Sequence, residues 1–526
     1  MSTVCRFVQL SMAFGAQRLF ENLSATLGAG VSGLIGPNGR GKSVLLKLLA
    51  GDLTPSSGEI SWMCPVYRVD QLHDAYGPRV ADALGVTDLY EVFALIEQGR
   101  GSPADLDRVA DLWHLPVQWQ QRLADAGLDI PLHTPMAKLS GGQRTRVALC
   151  AALLRQDHFL LLDEPTNHLD ASGREWFMAQ VFAHPGGALV ASHDRDLLRR
   201  VGHILELTEQ GLREYGGGYD LYRSVRMAEV EALEQRVGRA EKQLRALDRE
   251  RQAAEQRAAR RRRQGERLRR SGSQSKVLLD AKAQKAENSG GRDKVRQAQR
   301  EEQLREQLGV AKAQRDRLRR QQLVMGQPAL RGGICLQLEG LALPWLNRSP
   351  ITMNVRSGER WRLKGANGSG KSTLLKVIAA RLAPLAGRCR VRGRCLYLDQ
   401  DFSLLDERAS AVDNLHRLHP TISRSTWRTW LGSVRLRGDK ALMPVAALSG
   451  GERLKVALLA VTQAEQAPDL LLLDEPDNHL DLDSRELLED ALSEYPGALM
   501  LVSHDETFVQ AVGVSHQLDL SEPAKK

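Results

Sequence analysis

Four short motifs occur twice in this chain, in the same order, and the duplication constrains its fold more than any other feature. Gly36-Pro37-Asn38-Gly39-Arg40-Gly41-Lys42-Ser43 returns as Gly365-Ala366-Asn367-Gly368-Ser369-Gly370-Lys371-Ser372, followed by Thr373. Leu139-Ser140-Gly141-Gly142-Gln143 returns as Leu448-Ser449-Gly450-Gly451-Glu452. Leu160-Leu161-Leu162-Asp163-Glu164-Pro165 returns as Leu471-Leu472-Leu473-Asp474-Glu475-Pro476, and Ser192-His193-Asp194 as Ser503-His504-Asp505. Lys42 to Gln71 and Lys371 to Gln400 are both 29 residues, as are Glu164 to His193 and Glu475 to His504. One interval differs, being 69 residues from Gln71 to Ser140 but 49 from Gln400 to Ser449. The first copy therefore carries about twenty extra residues between Tyr76 and Pro135. The chain reads as two copies of one α/β domain, residues 1–222 and 332–526, joined by a segment of different composition, 223–331.

Each glycine-rich octet follows a short apolar run (Val31 to Ile35, Trp361 to Leu363) and precedes a helical pattern (Val44 to Ala50, Thr373 to Ala380). Strand, loop and helix in that order are the context a phosphate-binding loop requires. The glycines let successive N–H groups turn inward toward phosphate oxygens, and the helix N-terminus adds its positive end. In such a loop Lys42 and Lys371 reach the β- and γ-phosphates, and the Ser43 and Ser372 hydroxyls suit Mg²⁺. A single Gly-Lys-Ser turn arises by chance, but two with partners at matching spacing do not.

The apolar runs ending in Asp163-Glu164 and Asp474-Glu475 place paired carboxylates at the C-terminal edge of a parallel sheet, where open α/β sheets bind ligands. Alone, such a pair reads as a helix N-cap. Beside the loops, Asp163 and Asp474 suit Mg²⁺ through water, and Glu164 and Glu475 suit polarising an attacking water. A lone histidine after a strand is usually structural, but His193 and His504 recur at one position in both copies and are expected to contact the γ-phosphate. Gln71 and Gln400 are expected to sense the γ-phosphate, the metal and the water.

Together these residues resemble the ATP-binding cassette ATPases, whose specific mark is the Leu-Ser-Gly-Gly-Gln/Glu signature some 24 to 26 residues before the glutamate. The resemblance implies a mixed sheet with a helical subdomain in each copy and an intramolecular head-to-tail pairing of the copies in a monomer. It implies two composite ATP sites: Lys42, Glu164 and His193 facing Ser449-Gly450-Gly451, and Lys371, Glu475 and His504 facing Ser140-Gly141-Gly142. Gln143 and Glu452 complete the two signatures, and Asn167-His168-Leu169-Asp170 and Asn478-His479-Leu480-Asp481 match the family's D-loops. Phe14 stands where family members stack an aromatic on adenine; the equally spaced position in the second copy is Leu343, with Trp345 close by. Asp477 replaces the Thr166 of the first copy. Within the family, two cassettes around a basic helical linker, with Glu164-Pro165-Thr166-Asn167 and Tyr215-Gly216-Gly217-Gly218-Tyr219, resemble the ABC-F translation factors over the whole chain.

The net charge of +9 is unevenly placed. Residues 223–331 hold 30 Lys and Arg against 15 Asp and Glu, so the rest of the chain is mildly acidic. That segment has no Phe, Trp, Tyr, His or Cys and cannot close a core of its own. Val230, Leu233, Val237, Ala240, Leu244 and Leu247 form a seam at alternating three and four spacing, echoed by Leu304, Leu308, Ala311 and Leu318. The pattern predicts an antiparallel helical hairpin with its tip between Ser271 and Gly291. Nine basic residues and one acidic residue between Arg257 and Lys276, including Arg260, Arg261, Arg262, Arg263, Arg267, Arg269 and Arg270, predict contact with a nucleic-acid backbone by shape and charge. A solvated helix face is the plainer alternative.

No stretch approaches the roughly 18 apolar residues of a membrane span, no secretory signal opens the chain, and six cysteines lie singly without metal-ligand spacing. A cytoplasmic protein with no membrane attachment and no metal cluster is expected. The resemblance implies an Mg²⁺-dependent ATPase that binds the ribosome near the tRNA exit site in its ATP state, the linker meeting the large subunit and tRNA, with the first-copy insert matching the family's arm. A DNA-structure-binding or repair ATPase is the alternative, and a transporter motor a weaker one. The chain ends about twenty residues after His504, so the C-terminal DNA-binding coiled coil of some relatives is not expected.

Overall fold

The computed structural model describes residues 3–15, 17–70, 77–167, 169–271, 295–296, 298–316, 332–345, 349–366, 368–462, 467–478 and 480–520. The chain divides into two compact units, Met1–Tyr219 with Gln321–Lys526, and Asp220–Arg320.

In the first unit each cassette is built around an all-apolar strand, Phe159–Asp163 or Leu470–Asp474, every residue of which is buried. A strand covered on both faces has no polar alternation, which is why these runs read as continuous leucine. The first sheet runs Val66–Val69, Phe159–Asp163, Ala188–Ala191, Val31–Ile35, His203–Thr208, Gly211–Tyr215, parallel except for the last pair. The second repeats the order with Cys395–Leu398, Leu470–Asp474, Ala498–Val502, Arg360–Lys364 and His516–Asp519, all parallel. A three-stranded antiparallel sheet accompanies each, with Thr3–Phe14 between Gln17–Gly28 and Ser57–Trp62, and Ile334–Ala342 between Ile351–Arg356 and Ala386–Val391. The architecture is thus α/β in two cassettes, as the family resemblance implied, with a mixed main sheet in the first and an all-parallel one beside an antiparallel sheet in the second.

The helix after each loop joins these layers. Leu45, Leu46, Leu48 and Leu49 of Lys42–Ala50 are buried with Phe7 and Leu10 from one sheet and Leu34 and Leu161 from the other. Burial of each such leucine contributes about 1.5–3 kcal/mol, so the loop rests on a firmly seated helix. Both helices begin at the loop lysine, two residues earlier than the apolar pattern suggests, because Gly41 and Gly370 take the left-handed N-cap conformation.

The length difference between the copies falls between two matching bridges, Arg79 with Pro135 and Ser410 with Pro444. The first cassette fits four helices there, Val80–Leu84, Thr87–Glu97, Pro103–Val109 and Leu115–Asp125. The second has Ala411–Leu418 and Arg424–Ser433 with a 3₁₀ turn at Gly438–Ala441. The added helices pack inward, with Val92, Phe93 and Val109 buried beside Trp119, Leu123 and Val147.

The second unit is a helical hairpin. Its outgoing arm belongs to one 53-residue helix, Tyr219–Ser271, and its return arm is helical over 298–316. Glu241 pairs with Lys312 at 2.7 Å and Arg251 with Glu301 at 3.7 Å, so the arms run antiparallel. The helix already starts at Tyr219, before the charge changes at residue 223, because helical pattern and composition switch at different points. The expected tip lies outside the described residues.

Candidate functional site

Each loop curls over the head of its helix. Gly36 and Gly365 have φ of 146° and 152°, and a Cβ there would sit 2.5 Å from the Leu207 carbonyl oxygen or 2.4 Å from Ser369 Oγ. Neither helix N-cap has a side chain to bond the first-turn N–H groups, which are left for an anion. Lys42 Nζ donates to Gly36 O at 2.8 Å and Asn38 Oδ1 at 3.2 Å; Lys371 Nζ donates to Gly365 O at 2.7 Å and Ala366 O at 3.0 Å. Burial lowers the pKa of both ammonium groups, and the neighbouring carboxylates oppose that shift. Gly39, Arg40 and Gly368 continue the two loops, Thr373 lies in the first turn of the second helix, and Asn367 lies outside the described residues.

The glutamates after the central strands share an unusual backbone. Glu164 and Glu475 have φ of 48° and 49°, a left-handed conformation that costs a non-glycine residue on the order of 1 kcal/mol or more. Each is pinned by its own N–H, which donates to Ala191 O at 2.8 Å or Val502 O at 3.0 Å on the adjacent strand. The histidines follow those adjacent strands, so His193 Nε2 lies 3.3 Å from Glu164 Oε1 and His504 Nε2 lies 3.8 Å from Glu475 Oε1. Burial pushes the Glu164 carboxyl up to about 8, against the opposing pull of Lys42, and raises Glu475 as well, with Asp474 and Asp477 adding to the effect. His504 is pushed down to about 4 by burial, Lys371 and Arg174, and His193 is lowered mainly by burial. Ser372 Oγ donates to Asp474 Oδ1 at 3.1 Å, and Asp163 takes the corresponding bond from Ser43 while burial raises its pKa.

The signature motifs are helix starts. Ser140 caps Gly141–Leu153 and accepts from Gln143 N, while Gln143 Oε1 accepts from Ser140 N. Ser449 and Glu452 repeat this reciprocal cap on Gly450–Thr462. Gln143 and Glu452 therefore orient the motif through its own backbone.

The two cassettes bring their motifs together. A cavity of about 450 Å³ is lined by Lys371, Ser372, Gln400, Glu475 and His504 of the second cassette and by Ser140, Gly141 and Gly142 of the first. Trp345 also lines it and is 83% exposed, whereas Leu343, at the equal-spacing position, is buried in the core. Phe14 is half exposed at the end of its strand. Across the interface at the first loop, Asn38 N donates to Asp481 Oδ2 at 3.1 Å and Arg485 Nη1 donates to His193 O at 3.2 Å. Gln71 lies outside the described residues.

Sequence reasoning passed over several groups. Arg174 and Arg485 each follow a D-loop aspartate by four residues, a recurrence visible in the chain; Arg174 lines the cavity, and Arg485 pairs with Asp505 and with Asp477. Asp477, the Thr166 replacement, also accepts from Ser503 Oγ at 2.9 Å, which gives the substitution a role in that buried network. Arg195 Nη1 donates to both carboxylate oxygens of Glu489 between cassettes, at 2.8 and 3.0 Å. On the hairpin, Arg260, Arg263 and Arg267 are exposed, while the side chains of Arg261, Arg262, Arg269 and Arg270 lie outside the described set.

Comparison with known proteins accords with this arrangement. The family model described as ABC transporter matches residues 20–167 and 349–478. The tylosin resistance ATP-binding protein TlrC of Streptomyces fradiae is 33% identical, over 93% of this chain and 92% of its own length. ABC transporter F family member 4 of Arabidopsis thaliana is 31% identical, over 95% of this chain and 71% of its own. Among solved structures, an archaeal ribosome recycling factor in complex with a ribosomal stalk protein shares the fold, with a TM-score of 0.56 at 19% identity, covering 98% of this chain and 88% of that one.

Proposed function

From the premise that the chain belongs to the ATP-binding cassette family, in its ABC-F branch, we propose that it binds two Mg·ATP at composite sites between its cassettes and acts on the ribosome in that state. The family's cassettes bind and hydrolyse ATP. The observation that carries the composite-site reading is the cavity in which Lys371, Glu475 and His504 face Ser140-Gly141-Gly142 of the other cassette.

In this reading the loop amides and Lys371 hold the β- and γ-phosphates, and the signature helix start points its N–H groups at the γ-phosphate from the opposite side. Trp345 offers its face to adenine in the second site, and Phe14 does so in the first. Glu475 in its ionised form accepts a proton from the attacking water, burial making that carboxylate a stronger base, and ionised Glu164 has the same part in the first site. His504, neutral at pH 7, hydrogen-bonds the γ-phosphate without adding charge, as does His193 in the first site. Gln71 and Gln400 complete the two sites. The donor set suits Mg²⁺: Ser372 Oγ offers an oxygen ligand and Asp474 Oδ1, 3.1 Å from it, would hold the metal through water, and Ser43 and Asp163 match them. Bound there, Mg²⁺ would neutralise charge on the β- and γ-phosphate oxygens.

For the ribosome, support comes from the family branch together with a hairpin whose 257–276 stretch holds nine basic residues and one acidic residue without an aromatic. Such a surface fits a phosphate backbone, and the tRNA exit site of the large subunit is the location we propose, in a cytoplasmic monomer. The same surface fits structured DNA, which is the second reading. A transporter motor draws no support from the hairpin; among the described residues no helix is long and apolar enough to cross a membrane.

The test is the double substitution Glu164→Gln and Glu475→Gln, run through a sucrose gradient in lysate with and without ATP. Co-migration with large subunits or whole ribosomes only when ATP is present is the expected result. A protein that stays at the top under both conditions overturns the ribosome reading and sends the hairpin to binding assays with branched DNA.

A further inference from the structure

We propose that Tyr397 is a positioning residue for the metal-holding carboxylate of the second site, one that the first site lacks. The proposal rests on the Mg·ATP reading above. Cys395–Leu398 pairs in parallel with Leu470–Asp474, and Tyr397 stands opposite Leu472. Because side chains alternate along a strand, Leu472 and Asp474 share a face, and the register delivers the tyrosine hydroxyl to that face. Tyr397 OH donates to Asp474 Oδ2 at 3.0 Å, while Ser372 Oγ donates to Oδ1 at 3.1 Å. Both carboxylate oxygens are thereby held, and the carboxylate can no longer rotate about its terminal bond without losing two hydrogen bonds. Tyr397 and Asp474 are 5% and 7% exposed, so water does not offer an equal substitute for the hydroxyl. The ring is fixed in turn by Arg381, whose guanidinium lies 4.9 Å from its centroid and pairs with Asp399 at 3.0 Å.

The first cassette solves the same position differently. Arg68 occupies the equivalent register, opposite Leu161. Its guanidinium is engaged by Asp52 at 2.6 Å and Asp70 at 2.7 Å, so the first site has no hydroxyl at this register to hold Asp163. One metal-holding aspartate is therefore oriented by a neutral hydroxyl, and at the matching register of the other cassette stands a cation already paired elsewhere. Partners that orient a metal ligand typically change metal affinity by about 10- to 100-fold when removed. Because Asp474 is read as acting through water, the lower end applies.

The experiment uses the full chain carrying Glu164→Gln and Glu475→Gln, with Mn²⁺ as the probe. Loss of the free Mn²⁺ electron paramagnetic resonance signal in the presence of ATP counts the metal sites and gives their affinities, and a fluorescent ATP analogue in EDTA reports metal-free binding. Two Mn·ATP per chain in this parent is required by the Mg·ATP reading, and its failure there is a failure of that reading alone. Tyr397→Phe is expected to weaken one of the two Mn²⁺ affinities about tenfold, to leave the other unchanged, and to leave metal-free binding within about twofold. In a Ser372→Ala background Tyr397→Phe is expected to have no further effect. Unchanged Mn²⁺ affinities, weakening of both sites, or an equal loss in EDTA would each overturn the proposal, the last because it marks Tyr397 as packing only.

Discussion

Replacing Glu489 with methionine should loosen the cassette interface next to the first loop, and the structure sets the size of the effect. Arg195 Nη1 lies 2.8 and 3.0 Å from the two Glu489 oxygens, with the side chains 6% and 10% exposed. Removing one member of a buried pair leaves the other charge desolvated and typically costs about 3–5 kcal/mol. Arg195 keeps a guanidinium contact 5.7 Å from the Tyr219 ring, worth roughly 0.5–1 kcal/mol, so the lower end is expected, about 3 kcal/mol. Methionine is the natural choice, since Met178 holds the matching helix position in the first cassette, four residues after Arg174 as Glu489 is four after Arg485. The matching position to Arg195 is Glu506, which pairs instead with Arg362 at 2.8 Å, so this cross-cassette bond has no counterpart in the other half. Urea unfolding followed by tryptophan fluorescence, analysed for its first transition only, gives the single costs. Arg195→Met combined with Glu489→Met should recover most of the loss, because a buried pair replaced by apolar side chains is often close to neutral. Single costs below about 0.5 kcal/mol, or costs that simply add, would mean that the two charges are not coupled across the interface.

Two further outcomes follow from the second site. His504 is held neutral, with its pKa pushed down to about 4, so its contribution to stability is fully present above the unfolded value near 6.5 and is lost as pH falls toward 4. His504→Gln should therefore lose up to about 3 kcal/mol less than the parent between pH 6.5 and pH 4 in denaturant titrations; parallel curves would remove the assignment. Trp345→Ala should weaken ATP binding at the second site by roughly tenfold or more, as loss of a base-stacking ring does, while leaving the melting temperature nearly unchanged because the ring is exposed. Calorimetric titration of ATP checks this, and unaltered affinity would move the adenine elsewhere.

Two cassettes, and the residues that line much of the cavity between them, could be read from the chain alone. Gly-Lys-Ser loops, Leu-Leu-Leu-Asp-Glu strands and Ser-x-x-Gln or Ser-x-x-Glu helix starts are local patterns, so one chain carries their geometry within a few residues and repeats it as evidence. The hairpin was legible for the same reason, since its seam is periodic along each arm. That Trp345 rather than Leu343 lines the cavity came from the fold, because a strand end and a turn with φ of 62° at Trp345 choose which side chain turns outward. Only the structure gave Asp477 a partner, in Arg485. It alone paired Tyr397 with Asp474, 77 residues away, and Arg195 with Glu489, 294 residues away. Such contacts depend on sheet register and on how two folded cassettes meet, and neither leaves a periodic trace along the chain.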